Sequence, residues 1–258
     1  MTRQRAPRVS QRDESLLPRL RALKAEHPFW GYRRIWAYLH VVEHQPLNKK
    51  RILRLMREHQ LLVQSNLRLK AKRTPTHSKP KPMRPNEWWG IDLTKVLVEG
   101  FGWGYIVIVL DWYTKKIVGY QADLRCTAQQ WREAIDRAVN AQFPDGARGH
   151  GLSLMSDNGC QPTSVAFLEA CRALQIHQAF TSDNNPKGNA DTERFMRTLK
   201  EECLWLREWT CPLELITALE RWIATYNEQY LHSALGYKTP RQFERDHDAS
   251  PSPPFLAA

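Results

Sequence analysis

Cysteine is scarce and scattered. Cys126, Cys160, Cys171, Cys203 and Cys211 are the five; none precedes residue 126 and no two form a CxxC pair. An odd set of this kind gives no disulfide framework and no zinc knuckle in the N-terminal region, and it suits reduced thiols in a cytoplasm. Long apolar runs are missing as well: none approaches the ~18 residues of a membrane span. The opening stretch MTRQRAPRVSQRDES is basic and lacks the apolar segment of a signal peptide. Acidic residues are nearly absent from the first third. Residues 1–85 hold 5 Asp and Glu against 21 Lys and Arg, a net of +16, whereas residues 86–258 hold 22 against 17, a net of −5. All the excess positive charge therefore sits in one third of the chain, where nucleic acid is its usual partner. The alternative is a basic face that merely keeps the protein soluble.

What is present can build a core. The chain of 258 residues is 42% apolar with 10 Trp, enough for one large domain or a medium one plus a small one. There is no internal repeat. Residues 13–27 predict a helix with Leu16, Leu20 and Leu23 on one stripe, closed by His27-Pro28. Residues 31–44 predict a second, with Tyr32, Ile35, Trp36 and Leu39 at helical spacing. A third, about 48–59, sets Ile52, Leu55 and Met56 on one side. Lys50, Arg54 and Arg57 line another side, with Lys49 and Arg51 near its start. Two short helices with a tight break, the second rich in bases, fit a helix-turn-helix over residues 1–63. A small bundle with a solvated basic face fits the pattern equally well. His40 and His44 have ligand spacing, but no cysteine is near and surface histidines are the better reading.

Residues 64–87 carry four Pro and seven Lys/Arg in 24 positions, too few bulky apolar side chains for a core, and read as an extended basic linker. After Trp88 the texture turns α/β. Residues 88–98, 104–110 and 116–122 predict three successive strands joined by hairpins. A helix over 127–142, a strand at 151–156, a helix over 163–174, a strand at 176–182 and helices over about 189–204 and 213–229 follow. Three antiparallel strands feeding two parallel ones through helical crossovers make a mixed α/β sheet of the ribonuclease-H-like kind, spanning 88–204. Residues 205–258 then supply helices packed on that core and a Pro-containing tail.

Three carboxylates stand out. Asp92 lies mid-strand between Ile91 and Leu93, where a charge is expensive unless paired or bound to a cation. Asp157 ends the first parallel strand, and strand ends are where open α/β sheets bind ligands. Glu193 opens the helix after a Gly-containing loop. Taken singly, Asp92 pairs with a lysine, Asp157 caps the Asn158-Gly159 turn and Glu193 is an exposed helix residue. Taken together, they are a set of hard oxygen ligands without sulfur, which suits Mg²⁺ or Mn²⁺. Two such ions are the usual clamp for in-line attack on a phosphodiester by water or a DNA 3′-hydroxyl.

The words around these residues carry a resemblance. Thirty-five residues separate Asp157 from Glu193, and with Asp92 in WWGIDLT this resembles the Asp-Asp-35-Glu pattern of retroviral-integrase-type cores. VLDWYTKKIVGY, SDNG-x-Q-x-TS, NPKGNADTERFMRTLKEE and YNEQYLHSALGYKTP resemble, in order, blocks of bacterial insertion-sequence transposases of the two-reading-frame, copy-out–paste-in group. HPFWGYRRIWAYL and LNKKRILRLMREHQL resemble the helical segment before that family's core. The likeness covers about residues 15–246. It implies a DNA transposase doing metal-dependent strand cleavage and 3′-hydroxyl strand transfer, with Asp92, Asp157 and Glu193 as the ligands of two Mg²⁺ or Mn²⁺ ions. It also implies that Lys200 grips the element's terminal DNA, with Arg197 next on the same helix face, and it makes Lys187 and Asn189 candidate DNA contacts. Lys49, Lys50, Arg51 and Arg54 are those of the basic helical region. Asp191 is expected to support the helix start. Cys160 and Pro162 stand where Ser and Tyr are common, and Tyr230-Leu231 where Arg-Pro is usual, which removes a cation.

The partners implied are double-stranded DNA, as element ends and target, further copies of the chain on that DNA, and an upstream-frame helix-turn-helix protein or fusion. A cytoplasmic, nucleoid-associated protein without a membrane partner is expected. A non-catalytic regulator of the element's ends and a plain metal-dependent nuclease are the rival readings. A tyrosine recombinase is disfavoured, since no Arg-His-Arg-Tyr constellation is present. The aromatic residues after 205 (Trp205, Trp209, Trp222, Tyr226, Tyr230, Tyr237) are expected in the core, with stacking on frayed bases as the alternative.

Overall fold

The computed structural model describes residues 11–63, 80–181 and 189–249. Most of the expected linker, residues 64–79, lies outside the described residues, as do Lys187 and Gly188. The described chain falls into two units, residues 11–63 with Leu231–Tyr237, and residues 80–230 with 238–249. No helix among the described residues is long and apolar enough to cross a membrane.

In the first unit, α1 (Gln11–Glu26), α2 (Tyr32–Ala37) and α3 (Lys49–Glu58) close around Leu16, Leu20, Leu23, Trp30, Ile35, Leu39, Ile52, Leu55 and Met56. These are the predicted apolar stripes. The second helix does not stay α-helical to residue 44; it widens into a π turn at Tyr38–Val42. The Asn48 side chain accepts the Lys50 backbone N–H at 2.8 Å and so starts α3. His40 stacks on Trp36, 5.1 Å between centroids, and lies 3.3 Å from the Gln45 carbonyl. That is the packing of a surface histidine.

In the second unit, β1 (Trp88–Val98), β2 (Gly102–Asp111), β3 (Ile117–Asp123), β4 (Ser153–Ser156) and β5 (His177–Phe180) form one sheet in the order β3-β2-β1-β4-β5. β1, β2 and β3 pair antiparallel, and β4 and β5 join parallel beside β1. This is the mixed ribonuclease-H-like sheet that the sequence predicts. Helices cover both faces, so β2 is apolar almost without interruption. Ile106, Ile108 and Leu110 turn toward α6 (Ala190–Leu199) and α7 (Pro212–Gln229). Val107 and Val109 turn toward α4 (Ala128–Gln142) and α5 (Val165–Ala173). A final helix, α8 (Pro240–Asp248), opens on a Thr239 cap.

Local chemistry sets the boundaries. Thr127 and Gln130 form a capping box at the start of α4, and Ser164 caps α5. α4 lies so close to β3 that a Cβ at Gly119 would stand 2.4 Å from the Ala134 carbonyl oxygen. Glycine there is a packing requirement.

Of the late aromatic residues, Trp209, Tyr226 and Tyr230 are buried, at 2%, 3% and 6% exposure, whereas Trp205 is 63% exposed. Tyr230 packs in the core and donates its hydroxyl to Glu202 at 3.1 Å.

Candidate active site

β1 and β4 run parallel with Gly90 opposite Met155. Two residues further along each strand stand Asp92 and Asp157, so the register brings them side by side where the β4 pairing ends. Asp92 points to the face of the sheet that carries Val96 and Val98, the face covered by α6. Its Oδ1 accepts the Leu93 N–H at 2.8 Å. Asp157 is exposed, and its Oδ1 accepts the Gly159 N–H at 3.1 Å. The turn that suits Asp157 as a cap thus also fixes its carboxylate. Glu193 lies in the first turn of α6, exposed, its N–H bonded to the Asn189 carbonyl at 3.0 Å.

The Asp92 carboxyl senses the other two. Burial pushes the Asp92 carboxyl up from 3.8 to about 6, opposed by the Leu93 N–H; Asp157 and Glu193 raise it further, and Lys200 pulls it back. Among the described residues no three His, Cys, Asp or Glu side chains are drawn together closely enough to enclose a metal ion as they stand. In their chemistry the donors nonetheless fit a hard divalent cation: three carboxylates, Asp92 half-buried and Asp157 and Glu193 exposed, supply hard oxygen ligands. A thiol nucleophile is not available from the core, because burial pushes Cys171 up to about 12 and Cys203 up to about 11.

Residues packed around the start of α6 position Glu193. Gly90 has no side chain because α6 occupies the space: a Cβ there would meet Thr192 Oγ1 at 1.9 Å, Trp112 Nε1 at 2.4 Å and Asn189 Oδ1 at 3.0 Å. The Trp112 indole N–H donates to Thr192 Oγ1 at 3.0 Å, and Thr192 is wholly buried. Lys115 pairs with Asp191 at 3.3 Å, which gives Asp191 its role at the helix start. Trp112 and Lys115 belong to the β2–β3 turn, which Asp111 organises. Asp111 accepts the N–H groups of Asn86, Tyr113 and Thr114 and the Thr114 hydroxyl, at 2.6–3.1 Å. Gly90, Trp112, Lys115, Asp111 and Thr192 do not stand out as functional in the sequence. The available signal is Gly90 inside an apolar strand, a mark of close backbone approach.

The expected DNA contacts divide. Lys200 is half-buried and close enough to Asp92 to hold its carboxyl down. Arg197 is exposed and pairs along the helix with Glu201 at 2.7 Å, not with Glu193. Lys187 lies outside the described residues. Asn189 is only 4% exposed, packed between α6 and β1 with its Nδ2 3.5 Å from the Ile91 carbonyl.

In the helical unit, Arg51 and Arg54 both bind the buried Asp13, at 2.7 and 2.8 Å, holding its carboxyl below the usual range. They tie α3 to α1 and are not free side chains. Lys49 lies 4.1 Å from the Trp36 ring centroid and 3.4 Å from the Tyr237 hydroxyl. Lys50 is exposed and has no side-chain partner among the described residues.

Comparison with known proteins bears on this geometry. Two models described as integrase core domain match residues 82–186 and 174–240, and a model described as HTH-like domain matches residues 11–68. The insertion element IS407 31.7 kDa protein of Burkholderia multivorans is 30% identical over 94% of this chain and 85% of its own length. Transposase InsD of element IS2 from Escherichia coli is 23% identical over 90% of this chain and 79% of its own. The transposase of IS904 from Lactococcus lactis is 29% identical over 64% of each. Among solved structures, the simian T-cell lymphotropic virus intasome in complex with PP2A regulatory subunit B56 gamma superposes with a TM-score of 0.53 at 17% identity. It covers 86% of this chain and 77% of that one. At that identity the likeness concerns the fold.

Proposed function

The chain belongs to the insertion-sequence transposases with an integrase-type catalytic core, and we propose that Asp92, Asp157 and Glu193 are the ligands of its one catalytic centre. Its activity is DNA transposition and integration, a polynucleotidyl transfer carried out on bound DNA. The observation that carries the assignment is the parallel register of β1 and β4, Gly90 opposite Met155, which sets Asp92 and Asp157 at matching positions, with Glu193 close enough to raise the Asp92 carboxyl. Carboxylates so placed repel one another unless a cation joins them.

Asp92 and Asp157 present their oxygens from neighbouring strand positions, and Glu193 from the helix above. Two Mg²⁺ or Mn²⁺ ions bound there would activate a water or a DNA 3′-hydroxyl and stabilise the leaving oxygen. Lys200, beside Asp92, holds the phosphate of the element's end, and Arg197 supports it one turn earlier. In the helical unit Lys50 and the exposed flank of Arg54 contact phosphates of the element's DNA. Two ends must be brought to one target, so the chain works as an oligomer on DNA, alone or with an upstream-frame helix-turn-helix partner.

The test is strand transfer. A labelled duplex carrying the terminal sequence of the encoding element is incubated with Mg²⁺ or Mn²⁺ and the wild type or Glu193→Gln. Glu193 is exposed, so the substitution leaves the core intact. Joined products from the wild type alone are expected. Joining that survives in the variant overturns the assignment; cleavage without joining makes the chain a nuclease in isolation.

A further inference from the structure

β4 stops pairing with β1 at Gly90, and the next strand contact on that side is the single bridge from Val98 to Trp209. Among the described residues no strand covers the β1 edge between them. That edge runs from Asp92 to the hairpin tip; Asp92 to Leu97 is five residues, about 17 Å. At its far end a groove of about 550 Å³ opens between Lys95–Leu97 and the chain leaving α6, Leu204–Trp209. A groove of this size is in the range of small-ligand sites.

Two tryptophans stand open on it, Trp103 at 45% and Trp205 at 63% exposure. Cations lie against its indoles: Lys95 Nζ is 4.4 Å from the Trp103 ring centroid, and the Arg207 guanidinium carbon is 4.2 Å from that of Trp209. Glu99 and Glu208 also line it.

We propose that this groove takes one unpaired nucleobase of the DNA strand bound at the three carboxylates. Exposed indoles stack on any base, because every base has a π face. Lys200 near Asp92 meets a phosphate on the way; Lys95 and Trp103 lie on the other face of β1, where the groove turns around the strand edge. Glu99 and Glu208 repel phosphate and accept hydrogen bonds from base amino groups, so the base enters and the backbone stays outside. A protein partner fits the exposed indoles but gives no reason for cations against them, nor for a β1 edge that no strand covers among the described residues. The proposal rests on the assignment of Asp92, Asp157 and Glu193.

The experiment uses the full chain and the element's terminal duplex with its last positions left unpaired. A single 5-iodouracil replaces each unpaired base in turn, and photo-crosslinks are mapped. Crosslinks should peak at one of the unpaired positions and fall on Trp103 or Trp205. Trp103→Ala and Trp205→Ala should each weaken binding of the frayed end about 5- to 150-fold, more than binding of a fully paired duplex, and Trp205→Phe should restore most of it. Both side chains are exposed, so folding is not at stake. Crosslinks elsewhere, or alanine variants with wild-type affinity, overturn the proposal. So does loss of self-association in those variants with DNA affinity unchanged, which would make the surface a protein contact. Glu193→Gln run alongside separates the two claims: joining without Glu193 sinks the triad, whereas joining that needs Glu193 beside indifferent tryptophans sinks the groove alone.

Discussion

Replacing Asp92 by asparagine should stabilise the protein while it abolishes the chemistry. The carboxyl is raised from 3.8 to about 6 on folding, first by burial and then by Asp157 and Glu193. An acid with a raised pKa binds its proton more tightly in the folded state. Its effect on stability is therefore nil below about pH 4, grows as pH rises toward 6, and is fully unfavourable above that. A shift of about 2.2 units at 1.36 kcal/mol each sets a ceiling of about 3 kcal/mol at pH 7.5. Asparagine keeps the oxygen that accepts the Leu93 N–H at 2.8 Å and removes only the charge. The variant should then melt higher than wild type at pH 7.5, by up to about 6–12 °C, with the gap closing near pH 4. Thermal unfolding by calorimetry across pH 4–8, without divalent ions, is the assay. Added Mg²⁺ should raise the wild-type melting temperature and leave the variant nearly unmoved. A variant less stable than wild type at pH 7.5, or a gain that persists at pH 4, would refute the reasoning.

Three further outcomes are expected. Gly90→Ala forces a Cβ to within 1.9 Å of Thr192 Oγ1, so α6 must shift; stability should fall by about 1–3 kcal/mol and strand transfer by on the order of 100-fold. Wild-type joining rates in that variant would show that Glu193 is not positioned through Gly90. Asp111→Ala strips the acceptor from three backbone N–H groups and the Thr114 hydroxyl; denaturant titration should show a loss of about 3 kcal/mol or more. Lys200→Ala should weaken binding of the terminal duplex more than Arg197→Ala, since Arg197 is an exposed side chain already paired to Glu201; a gel-shift titration in which Arg197 matters more would reverse that order.

Much of the fold is legible in the sequence because period and burial coincide. β1 covers residues 88–98 as its apolar run predicts, and Leu16, Leu20 and Leu23 face a core as their spacing requires. The proximity of Asp92 and Asp157 follows from strand order, and that of Glu193 from the helix after β5. Electrostatic partners far apart in sequence are not legible. Arg51 and Arg54 read as free cations on a basic helix, yet both are held by Asp13, 38 and 41 residues away. Asn189 reads as a loop residue facing DNA and is buried against a strand 98 residues earlier. Trp205 and Trp209 look alike in a line of text; the bridge from Trp209 to Val98 and the indole bond to the Leu204 carbonyl mark the buried one, and neither can be read from the sequence. Periodicity reports which way a side chain faces its own element and says nothing of what lies opposite.

The most direct measurement is the anomalous scattering of Mn²⁺ in crystals of the protein bound to its terminal DNA. Two manganese peaks, each within ligand distance of Asp92 and one or both of Asp157 and Glu193, are predicted, about 3.5–4 Å apart. Manganese bound elsewhere, or peaks that Glu193 does not approach, would contradict the claim that these three carboxylates are the catalytic centre.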